Sequence, residues 1–262
     1  MGRTQHFVLV HGAQHGAWCW YKTKALLESA GHRVSAPDLT SAGISAVNAD
    51  DVKSFDHYNQ PLYDVFESLG ETEKVILVGH SYGGVPVARV TELYSRKIHV
   101  AVYIAGCMLC TEQPMSEVWP QVFDEFVNDM RFNFGRGAGT SPTSGWIVEE
   151  TARRTYFGSC SPKDVQLGMM LLRPSPFMSD DATTFTEKGY HSVPRVYIKA
   201  SLDLCLKPKF QDLFIQRNRP QEVRSIEAGH ALQLCAAKEL HRHLLQIAAA
   251  HVADHGDEIQ FS

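Results

Sequence analysis

Short apolar runs alternate with longer segments of helical periodicity along most of the chain. Residues 6–10, 75–78, 98–106 and 195–200 are runs of four to nine residues rich in Val, Ile, Leu and Ala, a length and composition that predict buried strands. Residues 33–38, with Pro37 near their end, and residues 222–226 add two further strands, proline marking an edge or an end because it cannot donate to the ladder. Between them, residues 21–30, 56–69, 85–94, 208–217 and 232–248 carry helical spacing, as in Leu62, Val65 and Phe66 or Leu240, Leu244 and Leu245. Strands alternating with helices predict an α/β fold with a mostly parallel sheet covered on both faces.

The alternation lapses from residue 110 to 189. Aromatic residues dominate there, interrupted by Gly135-Arg-Gly-Ala-Gly139 and Pro142. A stretch of this length inserted between two strands reads as a helical cap over the strand ends, which divides the chain into a core of residues 1–109 and 190–262 and a cap of residues 110–189. Most of the cap aromatics are expected to bury against the core. A few are expected to face a substrate pocket beneath the cap, with Trp119, Phe123, Phe126 and Trp146 as the candidates.

Composition changes this picture little. A chain of 262 residues with formal net charge −4 offers no basic field for nucleic acid or an anionic membrane surface, and no apolar run approaches the ~20 residues that cross a bilayer. A small molecule is the expected partner. The six cysteines lie in apolar surroundings and no signal peptide is recognisable, so reduced thiols and a cytoplasmic protein are expected. Cys107-Met-Leu-Cys110 has the spacing of a metal or redox pair, but no second pair follows at ribbon spacing. His11 and His15 lie four apart on a glycine-bearing loop, not on one face of a helix. Both features read as structural, with no metal and no cofactor.

The candidate chemistry centres on Gly79-His80-Ser81-Tyr82-Gly83, which joins a predicted strand to a predicted helix. Such a turn strains the backbone at its apex and pushes the serine hydroxyl out of the sheet. A serine needs a base within hydrogen-bond reach and a carboxylate to fix that base's tautomer. His230 follows the last predicted strand and Asp203 the one before it, giving the order Ser, Asp, His with each residue in a loop after a strand. Asp38 and Asp181 stay open as alternative acids. The loop after the first strand, His11-Gly12-Ala13, offers the Ala13 amide as one half of an oxyanion hole; the Tyr82 amide, directly after the serine, offers the other.

The chain resembles the plant methylesterase and hydroxynitrile lyase family of α/β-hydrolases over nearly its full length. The resemblance rests on residues 7–13, His15-Gly-Ala-Trp18, residues 26–32, residues 73–81, Cys160-Ser-Pro162, Arg173-Pro-Ser175 and residues 195–198. It implies the α/β-hydrolase fold, a triad of Ser81, Asp203 and His230, and a serine esterase acting through an acyl-enzyme on a small, largely apolar ester such as the methyl ester of a plant metabolite or hormone. Gly12 and Ala231 separate the branches, since the lyases carry Thr and Lys at these two places, and both are expected to border the substrate. The alternatives are a carbon–carbon lyase, a slow-turnover hormone receptor, and an esterase whose β-keto acid product decarboxylates. Members of the family often pair, which leaves a homodimer open.

Overall fold

The structure is a computed structural model that describes residues 4–110, 122, 124, 126–178 and 184–252. Six strands form one all-parallel sheet: β1 (His6–Val10), β2 (Arg33–Ser35), β3 (Val75–His80), β4 (Ile98–Ile104), and, after a second small sheet described below, β8 (Arg195–Ala200) and β9 (Glu222–Ile226). Their order across the sheet is β2-β1-β3-β4-β8-β9. Alternation along each strand sends side chains to opposite faces, and both faces are covered. In β1, Val8 and Val10 pack into one core cluster while Phe7 and Leu9 pack into the other. The same division separates Val75 and Leu77 from Ile76 and Val78 in β3.

Helices cover the two faces. α1 (Tyr21–Ser29) and the long C-terminal helix lie on the side of Phe7, while α2 (Phe55–Glu67) and α3 (Gly84–Tyr94) lie on the side of Val8. The Ser54 hydroxyl caps α2 by accepting from the His57 amide. Pro86 sits in the first turn of α3, where its missing N–H has no intrahelical partner to lose. The predicted helix over 232–248 is interrupted at Ala236, an interruption that its continuous apolar pattern does not signal.

The cap differs from the helical one expected. It contains an antiparallel three-stranded sheet of β5 (Met130–Asn133), β6 (Ser144–Ile147) and β7 (Ser175–Pro176), together with α4 (Glu149–Thr155) and α5 (Pro162–Leu171). Strands of two to four residues are too short to show a period of two against their neighbours. The cap sheet is anchored to the core through polar contacts. Asp50 accepts from the Thr143 and Ser144 hydroxyls at 2.6 and 2.8 Å, and the Arg173 guanidinium donates to the carbonyls of Gly43 and Ser45 at 2.9 and 2.6 Å. Completing the core beyond the cap are α6 (Pro208–Arg217), between β8 and β9, and then α7 (Leu232–Cys235) and α8 (Ala237–His251).

The strand order locates the site. From β1 the chain moves outward to β2, then returns to place β3 on the other side of β1, so the loops after β1 and β3 diverge and leave a crevice at the carboxyl edge. The two loops meet closely at Gly83, where an added Cβ would lie 2.5 Å from the His11 carbonyl oxygen and 2.7 Å from that of Val10. Gly83→Ala is therefore expected to force the two loops apart and to cost ~1–3 kcal/mol, read as a lower denaturation midpoint in urea. Unchanged stability would show that this contact does not constrain the edge.

Candidate active site

Ser81 stands at the apex of the turn between β3 and α3 with φ of 53°, a left-handed backbone that a residue with a Cβ adopts only under constraint. Gly12, in the loop after β1, packs directly behind it: a Cβ at Gly12 would come within 2.9 Å of the Ser81 Cβ. That spacing brings the His11-Gly12-Ala13 loop beside the serine. Ala13, Ser81 and Tyr82 line one cavity of about 640 Å³.

β8 and β9 pair in register from Val196 with Glu222 to Ala200 with Ile226, so the loops that follow emerge side by side. The Leu202 amide donates to the Ala228 carbonyl at 3.0 Å and ties those loops together. This brings His230 onto Asp203, His230 Nδ1 lying 2.7 Å from Asp203 Oδ2. A carboxylate only accepts, so Nδ1 carries a proton, and in the neutral ring it is Nε2 that keeps the lone pair. Asp203 also accepts from the Cys205 amide at 2.7 Å, and its side chain is fully buried. Ser81 and His230 line the same cavity, with Asp203 behind the imidazole. Asp38 has a different job: its two oxygens accept from the Ala17 and Ile44 amides at 2.6 and 3.2 Å. Asp181 lies outside the described residues.

Four buried histidines gather here, and their surroundings separate them. Burial by itself lowers the pKa of an imidazole. At His230 it is outweighed by the charge of Asp203 beside it, then by Cys205 and by hydrogen bonds to both, and the pKa lies well above the ordinary 6.5. The Cys205 thiol is itself pushed up by burial. Burial lowers His11, takes His15 down to about 3, its neighbours His230 and His11 adding to the effect, and lowers His80 well below the ordinary value, again with His230 contributing. These three are neutral scaffold groups. Gln233 Nε2 lies 3.3 Å from His80 Nδ1 and can only donate, so His80 Nε2–H donates to the His230 carbonyl at 2.8 Å. Likewise the Leu39 amide donates to His11 Nε2 at 3.1 Å, leaving His11 Nδ1–H to donate to the Gly12 carbonyl at 2.9 Å.

The cavity wall is mostly apolar: Val122, Phe126, Met130, Phe132, Ile147, Phe177, Met178 and Leu206, closed by Tyr58 and Tyr156. Asp124 is exposed at the rim, and no Lys or Arg lies among the described residues that line the cavity. Phe126 lies on this wall. Trp146 does not: it is 36% exposed, while Gly145 and Ile147 on either side face the cavity, as alternation along β6 requires. Gly12 and Ala231 are not on the wall either. Gly12 supports Ser81 from behind, and Ala231 is fully buried in a cluster with Tyr156, Phe157 and Leu234. Trp119 and Phe123 fall outside the described residues. Sequence reasoning passed over Gln14, Tyr156, Phe177 and Cys205, all of which line the cavity. The one available signal was the position of Gln14 and Cys205 within two residues of Ala13 and Asp203.

Among the described residues, no group of three His, Cys, Asp or Glu side chains could hold a metal ion. All six cysteines are free, Cys107 and Cys110 included. No helix among the described residues is long and apolar enough to cross a membrane.

The model of the alpha/beta hydrolase family matches residues 7–242. Methylesterase 17 of Arabidopsis thaliana is 38% identical over 235 residues, covering 86% of this chain and 85% of that protein. Among solved structures, tomato methylketone synthase I complexed with 2-tridecanone superposes with a TM-score of 0.92 at 33% identity, covering 96% of this chain and all of that one. Polyneuridine aldehyde esterase superposes with a TM-score of 0.88 at 34% identity, covering 94% of this chain and all of that one. The chain belongs to the alpha/beta hydrolase family and, within it, to the group of the plant methylesterases.

Proposed function

We propose that the protein is a serine esterase that hydrolyses an uncharged, largely apolar carboxylic ester, a methyl ester in the first instance, with Ser81 as nucleophile, His230 as base and Asp203 as its orienting carboxylate. The observation that carries this reading is a strained serine and a carboxylate-bound imidazole opening into one apolar cavity. His230 Nε2 takes the proton of the Ser81 hydroxyl as Oγ attacks the ester carbonyl. The Ala13 and Tyr82 amides receive the negative charge that develops on the carbonyl oxygen. His230 then returns the proton to the departing alkoxide, which leaves as the alcohol, and water cleaves the acyl-serine by the same steps in reverse. None of these steps calls for a cofactor.

The wall supports the substrate class. The cavity is about 640 Å³, and the described residues that line it include no lysine or arginine to meet an anionic substrate and offer ample contact to an apolar one. The tomato relative holds 2-tridecanone, an apolar ketone, and Methylesterase 17 is named for methyl esters. The lyase alternative needs a cation beside His230 to receive departing cyanide. The next residue is instead the buried Ala231.

Ser81→Ala is expected to lower kcat/KM for methyl and p-nitrophenyl esters of apolar acids on the order of 10⁴–10⁶-fold. Wild-type rates in that variant would overturn the mechanism. Because His230 works as a base only when unprotonated and its pKa lies above the ordinary value, activity should fall as pH drops through a limb placed above 6.5. In Asp203→Asn the charge that raises the pKa is gone while burial remains. That limb should move to lower pH and kcat should fall by ~10⁴. A pH–rate profile of the two proteins reads both effects, and an unshifted limb would remove Asp203 from the mechanism.

A further inference from the structure

Gln14 follows the candidate oxyanion residue Ala13 and is a non-glycine residue at φ of 63°. It is 6% exposed, yet all four of its polar groups are engaged, each by a residue of the cap. Its amide donates to Ser175 Oγ at 2.6 Å. Its carbonyl accepts from the Arg173 amide at 3.0 Å. Its side-chain Oε1 accepts from the Ile147 amide in β6 at 3.1 Å, and its Nε2 donates to the Tyr156 hydroxyl at 2.9 Å. Tyr156 in turn stacks on the His230 ring, with centroids 5.8 Å apart.

We propose that Gln14 is a positioning residue that couples the seating of the cap to the oxyanion hole. The claim rests on Ala13 serving as an oxyanion donor, as set out above. The Ala13 N–H lies in the preceding peptide plane, and the following plane restrains it through the φ and ψ torsions of Ala13. The preceding plane is held on the core side, where His11 Nδ1–H donates to the Gly12 carbonyl at 2.9 Å. The following plane is held at both ends, the Ala13 carbonyl by His15 Nδ1–H at 2.7 Å and the Gln14 amide by Ser175 in the cap. The left-handed conformation of Gln14 is uphill for a residue with a Cβ. Four bonds to the cap offset it, so the loop conformation and the docked cap depend on one another. The fork of the amide side chain reaches at once to β6, whose Gly145 and Ile147 face the cavity, and to Tyr156 beside the base. A substrate that seats the cap strands thereby steadies the donor that its carbonyl oxygen needs in the transition state.

The test is Gln14→Met, which keeps the length of the side chain and removes both side-chain hydrogen bonds, with Tyr156→Phe as a second variant that removes only the phenol oxygen. Each is assayed with a p-nitrophenyl ester and with a trifluoromethyl ketone, whose hydrated or serine-bound form mimics the oxyanion, against the plain methyl ketone of the same chain. Gln14→Met should lower kcat by ~10–100-fold with KM changed less than twofold. It should weaken the trifluoromethyl ketone far more than the methyl ketone, and Tyr156→Phe should act in the same direction more weakly. Equal weakening of both ketones, or a rise in KM with kcat unchanged, would make Gln14 a part of the binding wall and overturn the proposal. If Gln14→Met fails to fold, Tyr156→Phe decides by the same ketone comparison. Failure of wild type to cleave esters, or full activity in Ser81→Ala, would instead strike the esterase reading.

Discussion

The buried bond between Asp203 and His230 is the interaction on which the rest of the site depends. A carboxylate removed from water is costly unless it is paired and hydrogen-bonded. Asp203 is fully buried and meets that cost with the His230 imidazole, the Cys205 amide and, at 3.5 Å, the side-chain amide of Gln211. These partners come together only because β8 and β9 run parallel and in register, so that their two loops leave the same edge bound to each other. The sheet topology thus acts as a device for bringing residue 203 and residue 230 into contact at one rim.

Around that bond the protein arranges histidines of two kinds. His11, His15 and His80 are held neutral by burial and spend their ring nitrogens on backbone carbonyls at 2.9, 2.7 and 2.8 Å. His11 and His15 hold the loop of Ala13, and His80 holds the loop of His230. Only the fourth is hydrogen-bonded to a carboxylate, and the charge of Asp203, with Cys205 adding to it, outweighs burial there while burial prevails at its neighbours. The strained residues share this logic. Ser81 and Gln14 both sit in left-handed backbone within the crevice, where dense packing on one side and hydrogen bonds on the other offset conformations that an isolated chain would leave.

Much of this was legible in the sequence, for identifiable reasons. The strands at 195–200 and 222–226 and the helix at 208–217 were read at their observed bounds: β8 is a short, mostly apolar buried run and α6 carries proline at its first turn, while β9, a half-exposed edge strand, is marked by Val223 and Ile226 interspersed with polar residues rather than by an apolar run. Ser81, Asp203 and His230 stood out because each follows a strand, and a parallel sheet carries all such loops to one edge. The cap resisted the same reading. Its strands are two to four residues long, and their pairing is settled by contacts with the core, such as Asp50 with Thr143 and Ser144, that no local pattern records. Trp146 was expected inside for its size, whereas the alternation of β6 turns it outward and gives the wall to Gly145 and Ile147. Gln14 carried no signal beyond its place next to Ala13. A glutamine in a loop reads as solvated, and only the docked cap shows each of its polar groups engaged.

On this account one oxygen nucleophile, activated by one imidazole, performs the chemistry of the cavity. The most direct measurement is the fate of a phosphorylating agent such as diethyl p-nitrophenyl phosphate, followed by intact mass and peptide mapping. The account predicts one diethylphosphoryl group per chain, carried by the peptide that contains Ser81, and a rate of labelling that collapses in His230→Ala. Labelling of Cys205 in place of Ser81, or no labelling of an otherwise folded protein, would contradict it.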